Sequence, residues 1–384
     1  MFATPESELL RYCARKRLDP EAAARIRELV KRPIDWSYLV GLARSHGMMP
    51  LLHWHLTALG LREVPVEIQQ RLKDDFQANS RRNLFLTGKL IELLQLLRAH
   101  SIPAVPYKGP FLAHYLFGNL ALREFSDLDI LVPRDRALQA RDLVASCGYS
   151  LRTPVSGHKT EKSFLDWECE FHQVSSDGSV YVEIHWALAP YLASLPIQFE
   201  SLWPQLRRTS FGGSEVLCFR PTDLLFVLCS HGAKHGWGRL DWVCGVSELI
   251  RGYQKEIDWN EVIDVTERIG IRRMVFLGLY LAAELLGAPV PIEVHRMIRK
   301  DPTIALLTAD LARRLVSPPR EAGRFADLSF QMKLRERPAD RIRYLVRYFG
   351  LPRDAAATIK RLGSRTLGAR GTHPASVSAG EVAR

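Results

Sequence analysis

Apolar side chains recur at helical spacing through the first hundred residues and again beyond residue 220. Between these stretches they fall into short runs punctuated by glycine and proline. From Asp75 to His100, the residues Phe76, Leu84, Leu86, Leu90, Leu94 and Leu97 keep near-helical intervals, which predicts a helix with one buried stripe. Residues 1–97 as a whole read as helical, broken up by Pro33, Pro50 and Pro65.

The texture changes at Ser101. Ser101 to Gly109 reads as a short buried strand ending in a glycine turn. A short helix follows from Pro110 to Phe117, with proline where its missing N–H costs nothing, and Gly118-Asn119 end it. Ser126 to Val132 is a second strand, stopped by Pro133, and Asp135 to Cys147 is a helix closed by Gly148. Two strand-like runs, Phe164 to Val174 and Val180 to Trp186, flank the hairpin signal Ser175-Ser176-Asp177-Gly178. In the second run Tyr181, Glu183 and His185 share one face, and Val182, Ile184 and Trp186 share the other.

From Pro221 the pattern is helical again. Helices are expected from Thr222 toward His235, over Leu240 to Tyr253, over Trp259 to Gly270 with Asp258 as N-cap, over Ile271 to Leu286, and as a basic amphipathic helix over residues 338–348. The expected fold class is α+β: a small mixed sheet with helices, flanked by N-terminal helices and a C-terminal all-helical domain. The expected divisions are 1–97 (helical), 98–215 (α/β), 216–362 (helical) and 363–384, a Gly/Ser/Ala-rich basic tail expected to be disordered.

Composition excludes several classes. With 47% hydrophobic and 25% charged residues, the chain is an ordinary globular mix. No apolar run reaches the roughly 20 residues of a membrane helix. The N-terminus lacks an apolar signal core, so the expected compartment is the cytoplasm. The six cysteines include no C-x-x-C pair, which argues against zinc and redox motifs and for buried free thiols. Residues 311–384 hold 16 Lys/Arg against 6 Asp/Glu, so most of the net charge of +11 sits at that end. A basic end either attracts phosphate-rich partners, nucleic acid among them, or is a set of solvated helix faces.

The candidate chemistry starts at Asp127-Leu128-Asp129. On a strand both carboxylates point to one face, and without a cation they repel. They are either a metal-binding pair or exposed residues at a strand start. Glu183 lies on the later strand among apolar neighbours. If the two strands are adjacent it supplies a third carboxylate, a set suited to two metals and in-line attack at phosphorus; otherwise it faces solvent. Lys108-Gly109 ends the first strand just before a helix, an arrangement that lets backbone and ammonium approach a phosphate or is simply a turn. His231 and His235, four apart, share a helix face with Lys234 nearby. They offer metal ligation, nucleotide contact or packing.

Taken together, Tyr107-Lys108-Gly109, Tyr115, Arg123, Asp127 to Val132, Gly148-Tyr149 and Val182-Glu183-Ile184-His185-Trp186 resemble the uncharacterised bacterial nucleotidyltransferase family of the polymerase-beta-like nucleotidyltransferase superfamily. Ser230 to Trp237, Arg239-Leu240, Trp242 and Asp258-Trp259 resemble that family's helical half. Two departures stand out: no Gly-Ser pair precedes the D-x-D, and Gly245 stands where an aspartate is common.

The resemblance implies that Asp127, Asp129 and Glu183 are catalytic and bind Mg²⁺, two ions or Mn²⁺ in its place, and that 98–215 is the catalytic domain. It places Lys108, Gly109 and Arg123 at matching family positions. Phosphate contact is the expected role of Lys108 and Gly109, while Arg123 either contacts phosphate or pairs with Asp127 or Asp129. The implied substrate is ATP or another NTP. The implied activity is transfer of a nucleoside monophosphate to a hydroxyl of an acceptor: a small molecule, peptide, protein or RNA. The alternative is a non-catalytic nucleotide- or nucleic-acid-binding module, or an accessory protein, on the same fold.

Overall fold

The computed structural model describes residues 4–151, 168–175, 178–187, 199–315 and 324–349. The expected tail over 363–384, the start of the Phe164 run and the tip of its hairpin lie outside them. Residues 1–336 form one compact unit and 337–384 a second. The second unit contains the expected basic helix, Pro338–Tyr348.

The first unit opens with α1 (Pro5–Cys13), α2 (Pro20–Leu29), α3 (Trp36–Ser45), α4 (Met49–Ala58) and the long α5 (Val66–Ala99). Helix α5 starts well before Asp75 because its first turns are mostly polar and carry too few apolar residues to show a period. Its buried face includes Leu86, Leu90, Leu93 and Leu97, but Leu84 is exposed and the buried Asn83 takes that place on the stripe.

Among the described residues, five strands form one sheet: β1 (Val105–Pro106), β2 (Asp127–Leu131), β3 (Ser150–Leu151), β4 (Glu168–Ser175) and β5 (Gly178–His185), in the order β1-β2-β5-β4-β3. Of these strands β2 and β5 pair in parallel and the other described neighbours are antiparallel, so the sheet is mixed as expected. The short helix after β1 is α6 (Gly109–Leu112), continued by a π turn over Ala113–Phe117, and α7 (Ala137–Ser146) follows β2. Leu128 and Ile130 of β2 and Val182 and Ile184 of β5 share a core with Leu86, Leu90 and Leu97 of α5 and Ala140 and Val144 of α7. One face of the sheet is thus sealed by helices, and the alternate residues of the same strands are left for other uses.

A two-stranded ribbon, β6 (Arg207–Phe211) and β7 (Ser214–Cys218), adds Phe211 and Cys218 to this core. The expectation for this stretch missed it, although Gly212-Gly213 is a turn signal. The helical half comprises α8 (Pro221–Lys234), α9 (Leu240–Tyr253), α10 (Trp259–Ile269), α11 (Arg272–Leu286), α12 (Ile292–Arg299), α13 (Pro302–Leu315) and α14 (Arg324–Leu334). Asp258 caps α10 as expected, its carboxylate accepting from the Glu261 N–H at 3.0 Å. Among the described residues, no helix is long and apolar enough to cross a membrane. Cys13, Cys218, Cys229 and Cys244 are buried free thiols, whereas the Cys147 thiol is exposed.

Candidate active site

The parallel register sets Asp127 opposite Tyr181, Asp129 opposite Glu183 and Leu131 opposite His185. Because side chains alternate along strands, Asp127, Asp129, Tyr181, Glu183 and His185 all lie on the sheet face away from the α5 core. Edge strand β1 brings in a cation. The Tyr107 N–H donates to the Asp129 carbonyl at 3.4 Å, and Lys108 follows at the N-terminus of α6.

Gly109 then turns the chain with φ +53, and a Cβ there would lie 2.7 Å from the Asp127 carbonyl oxygen. Gly109→Ala is therefore expected to lose about 1–2 kcal/mol from left-handed strain alone and to push β2 off its register. Chemical denaturation, together with divalent-cation affinity, checks both effects.

Asp129 is the centre of the group. Its side chain is fully buried, and the Lys108 ammonium sits 2.6 Å from Oδ1. His185 Nε2 lies 3.2 Å from the same oxygen and 3.1 Å from a Glu183 carboxylate oxygen. Burial would raise the Asp129 carboxyl, but Lys108 and His185 outweigh it and hold the group well below the usual carboxylate range. Burial would likewise lower Lys108, and Asp129, Glu183 and Asp127 together raise it instead. Among the described residues, the second Asp129 oxygen, Oδ2, is buried with no hydrogen-bond partner.

A buried ionised acceptor left unsatisfied is costly, and a cation is the group that would satisfy it. One ligand atom each from Asp129, Glu183 and His185 can be chosen within 4.8 Å of one another. The two carboxylates suit Mg²⁺ or Mn²⁺, and the imidazole is a donor that Mg²⁺ does not need and that later first-row ions favour. The residues present therefore fit a divalent cation.

Asp127 lies beside this tight trio rather than in it. Its carboxyl is pushed up to about 6, first by burial and then by Asp129 and Glu183, with Lys108 and Arg123 pulling the other way. The folded protein consequently binds a proton here that the unfolded chain has lost between about pH 4 and pH 6. Stability falls as pH rises through that window and levels off above it. Asp127→Asn is expected to raise the melting temperature of the metal-free protein at pH 8 and to change it little at pH 5. Equal shifts at the two pH values would contradict this repulsion.

Arg123 is held from behind. Its carbonyl accepts from Asn83 Nδ2 at 2.7 Å and from Asn79 Nδ2 at 3.3 Å. The same two amides donate to Leu120 O at 2.7 Å and to Ala121 O at 3.0 Å. Two asparagines one turn apart on α5 thus pin the segment leading into β2. Among the described residues, the buried Arg123 Nε has no hydrogen-bond partner and Arg123 forms no ion pair with Asp127 or Asp129. Asn83→Leu, similar in size but without a donor, is expected to cost about 1–3 kcal/mol through the carbonyls it strands, measurable by denaturant unfolding.

Helices α8 and α9 supply the remaining candidates. The rings of His231 and His235 are 4.7 Å apart, and both meet Trp242 of α9, at 5.6 and 5.2 Å. Burial, then Lys108 and His235, put the His231 imidazole well below its usual range. Burial, then Lys234 and Lys108, bring His235 down to about 4. Both rings are neutral at pH 7, and Lys108 is a common influence on them. Lys234 is exposed.

Asp127, Asp129, Glu183 and Lys108, all candidates from the sequence, lie together in the structure. The sequence did not single out His185 as a ligand, Trp242 as a partner of both histidines, or Asn79 and Asn83. For His185 a signal was available, because it stands two residues from Glu183 on the same strand face.

A family model described as "Uncharacterised nucleotidyltransferase" matches residues 32–287, a span running from the helices ahead of α5 to the end of α11. No curated protein and no solved structure matches the chain.

Proposed function

Because the chain belongs to the uncharacterised nucleotidyltransferase family, we propose that it transfers a nucleoside monophosphate from an NTP to an acceptor hydroxyl, releasing pyrophosphate, and that it depends on Mg²⁺ or Mn²⁺. The observation that carries this reading is the orphaned Oδ2 of buried Asp129 at the centre of the Asp129, Glu183 and His185 group, with Asp127 and Lys108 beside it. Asp127, Asp129, Glu183 and His185 would hold the cation. When bound, such a cation offsets the charge of the triphosphate and polarises the phosphorus–oxygen bonds.

The chain's own groups do the rest. Lys108 meets phosphate as a point charge, and Gly109 lets the backbone of the α6 turn approach it. Arg123 adds a second cation from the pinned segment before β2. His231, Lys234 and His235 contact the nucleotide. Asp129, held ionised by Lys108 and His185, is a weak base. Glu183, with 27% of its side chain exposed, is the carboxylate open to the acceptor hydroxyl's proton.

Incubation with each α-labelled NTP, Mg²⁺ and a cell extract as source of the acceptor hydroxyl, with transfer of label to a product other than NTP or free monophosphate as readout, tests the reading. Turnover is expected from the natural chain and not from Asp127→Ala/Asp129→Ala. Equal turnover by the double variant would overturn the assignment. Salt-dependent nucleic-acid binding that survives loss of the carboxylates, without turnover, would favour a non-catalytic module.

A further inference from the structure

Three rings meet where the end of α8 faces α9, and none of them is fully buried. His231 and Trp242 are half-buried and His235 is exposed, yet each ring touches the other two. The interplanar angles are 59°, 84° and 39°, so the rings form a faceted wall rather than a closed stack. Among the described residues, none of the three side chains takes part in a hydrogen bond.

The wall is flanked by positive charge. Lys234 is exposed on the same helix, and the Arg239 guanidinium lies 5.9 Å from the Trp242 ring. Arg239 is itself held by the Asp241 carboxylate at 3.0 and 3.3 Å. The wall is also near the phosphate-side groups. Lys108 acts on both imidazoles and Asp129 acts on His231.

Resting on the nucleotidyl-transfer reading above, we propose that Trp242, His231 and His235 form the stacking platform for the NTP's base, and that its size and polarity favour a purine. Base–aromatic stacking is attractive for any base but grows with ring overlap, and a wall of three rings offers more overlap to a bicyclic base than to a pyrimidine. Neutral imidazoles present one N–H donor and one acceptor each, a combination that can hydrogen-bond the polar edge of a base. Arg239 and Lys234 add cation–π and phosphate contacts at the rim. Lys108 at the triphosphate and the ring wall at the base would then grip two ends of one molecule.

Equilibrium binding in the presence of Mn²⁺, with ATP, CTP and inorganic tripolyphosphate as probes, tests the platform on the full chain and on Trp242→Ala and Trp242→Phe. Trp242→Ala is expected to weaken ATP by about 5- to 150-fold, to leave tripolyphosphate unchanged, and to be largely rescued in Trp242→Phe. Unchanged ATP affinity in Trp242→Ala overturns the proposal, as does an equal loss for tripolyphosphate, which marks a structural role. A natural chain that holds CTP as tightly as ATP overturns the purine assignment. One that binds tripolyphosphate as tightly as ATP overturns the platform and leaves the phosphate and cation reading standing, whereas one that binds neither overturns both.

Discussion

Asp129→Asn is expected to lower nucleotidyl transfer by at least about a thousandfold, because the several kcal/mol of charge stabilisation assigned to the cation site depend on this carboxylate. The substitution keeps the shape of the side chain and removes its charge. Oδ1 is then no longer an anionic partner for the Lys108 ammonium at 2.6 Å, and Oδ2 is no longer an ionised acceptor awaiting a cation. The stability effect follows from the same pair. Breaking a buried ion pair from one side costs about 3–5 kcal/mol, and Glu183 and Asp127, which also act on Lys108, bring the cost toward the lower end.

The sign with pH is opposite to that of Asp127. Asp129 is held below its unfolded value, so its contribution is complete above the ordinary carboxylate range and is lost as pH falls through and below it. The difference in stability between the natural chain and Asp129→Asn should therefore be full at neutral pH and shrink in acid. Unfolding midpoints at neutral and acid pH, set beside turnover, check both halves.

Trp237→Ala is expected to cost about 3–5 kcal/mol, as removal of a fully buried tryptophan does. Trp237 follows α8 with φ +50 and is wholly enclosed. Its ring occupies a slot that exists because two helices carry glycine where they face it. A Cβ on Gly232 of α8 would lie 2.5 Å from the ring, and one on Gly278 of α11 would lie 2.8 Å from it and 2.7 Å from the Cys229 Sγ. Gly232→Ala should therefore destabilise the natural chain severely and do far less in a Trp237→Ala background, a coupling that a double-mutant cycle measures. Additive effects would contradict the wedge. Because the wedge sets the end of α8, its loss should also loosen His231 and His235.

The two-residue period of a strand was enough to place Asp127 with Asp129 and Glu183 with His185 on common faces, because each strand's other face is a run of Leu, Ile and Val that must be buried. What the period could not supply is the register. Nothing in Asp127–Leu131 or Gly178–His185 alone dictates a parallel pairing that sets Asp129 against Glu183, since parallel neighbours are chosen by the helices and hairpin between them. The same period puts His185 beside Glu183, whereas its proximity to Asp129 is a cross-strand fact that needs the register.

Lys108-Gly109 alone reads equally as an ordinary strand-to-helix turn, and only the positive φ of Gly109 and its tight approach to Asp127 show why a glycine is needed there. Asn83 was not legible. A polar residue on a helix stripe reads as a break in the apolar period, and only the tertiary structure shows its amide meeting the Leu120 and Arg123 carbonyls. The ring wall is intermediate, since helical spacing put His231 and His235 on one face, but Trp242 comes from the next helix.

Calorimetric titration of Mn²⁺ into the metal-free chain, the Asp129→Asn variant and the Glu183→Gln variant, with and without ATP, is the most direct test of the cation site on which the proposed transfer rests. The natural chain is expected to bind Mn²⁺ and to bind it more tightly with ATP present, and each variant to lose at least about tenfold in affinity. Mn²⁺ affinity that is the same in all three proteins, or no binding by the natural chain with ATP present, would contradict the account.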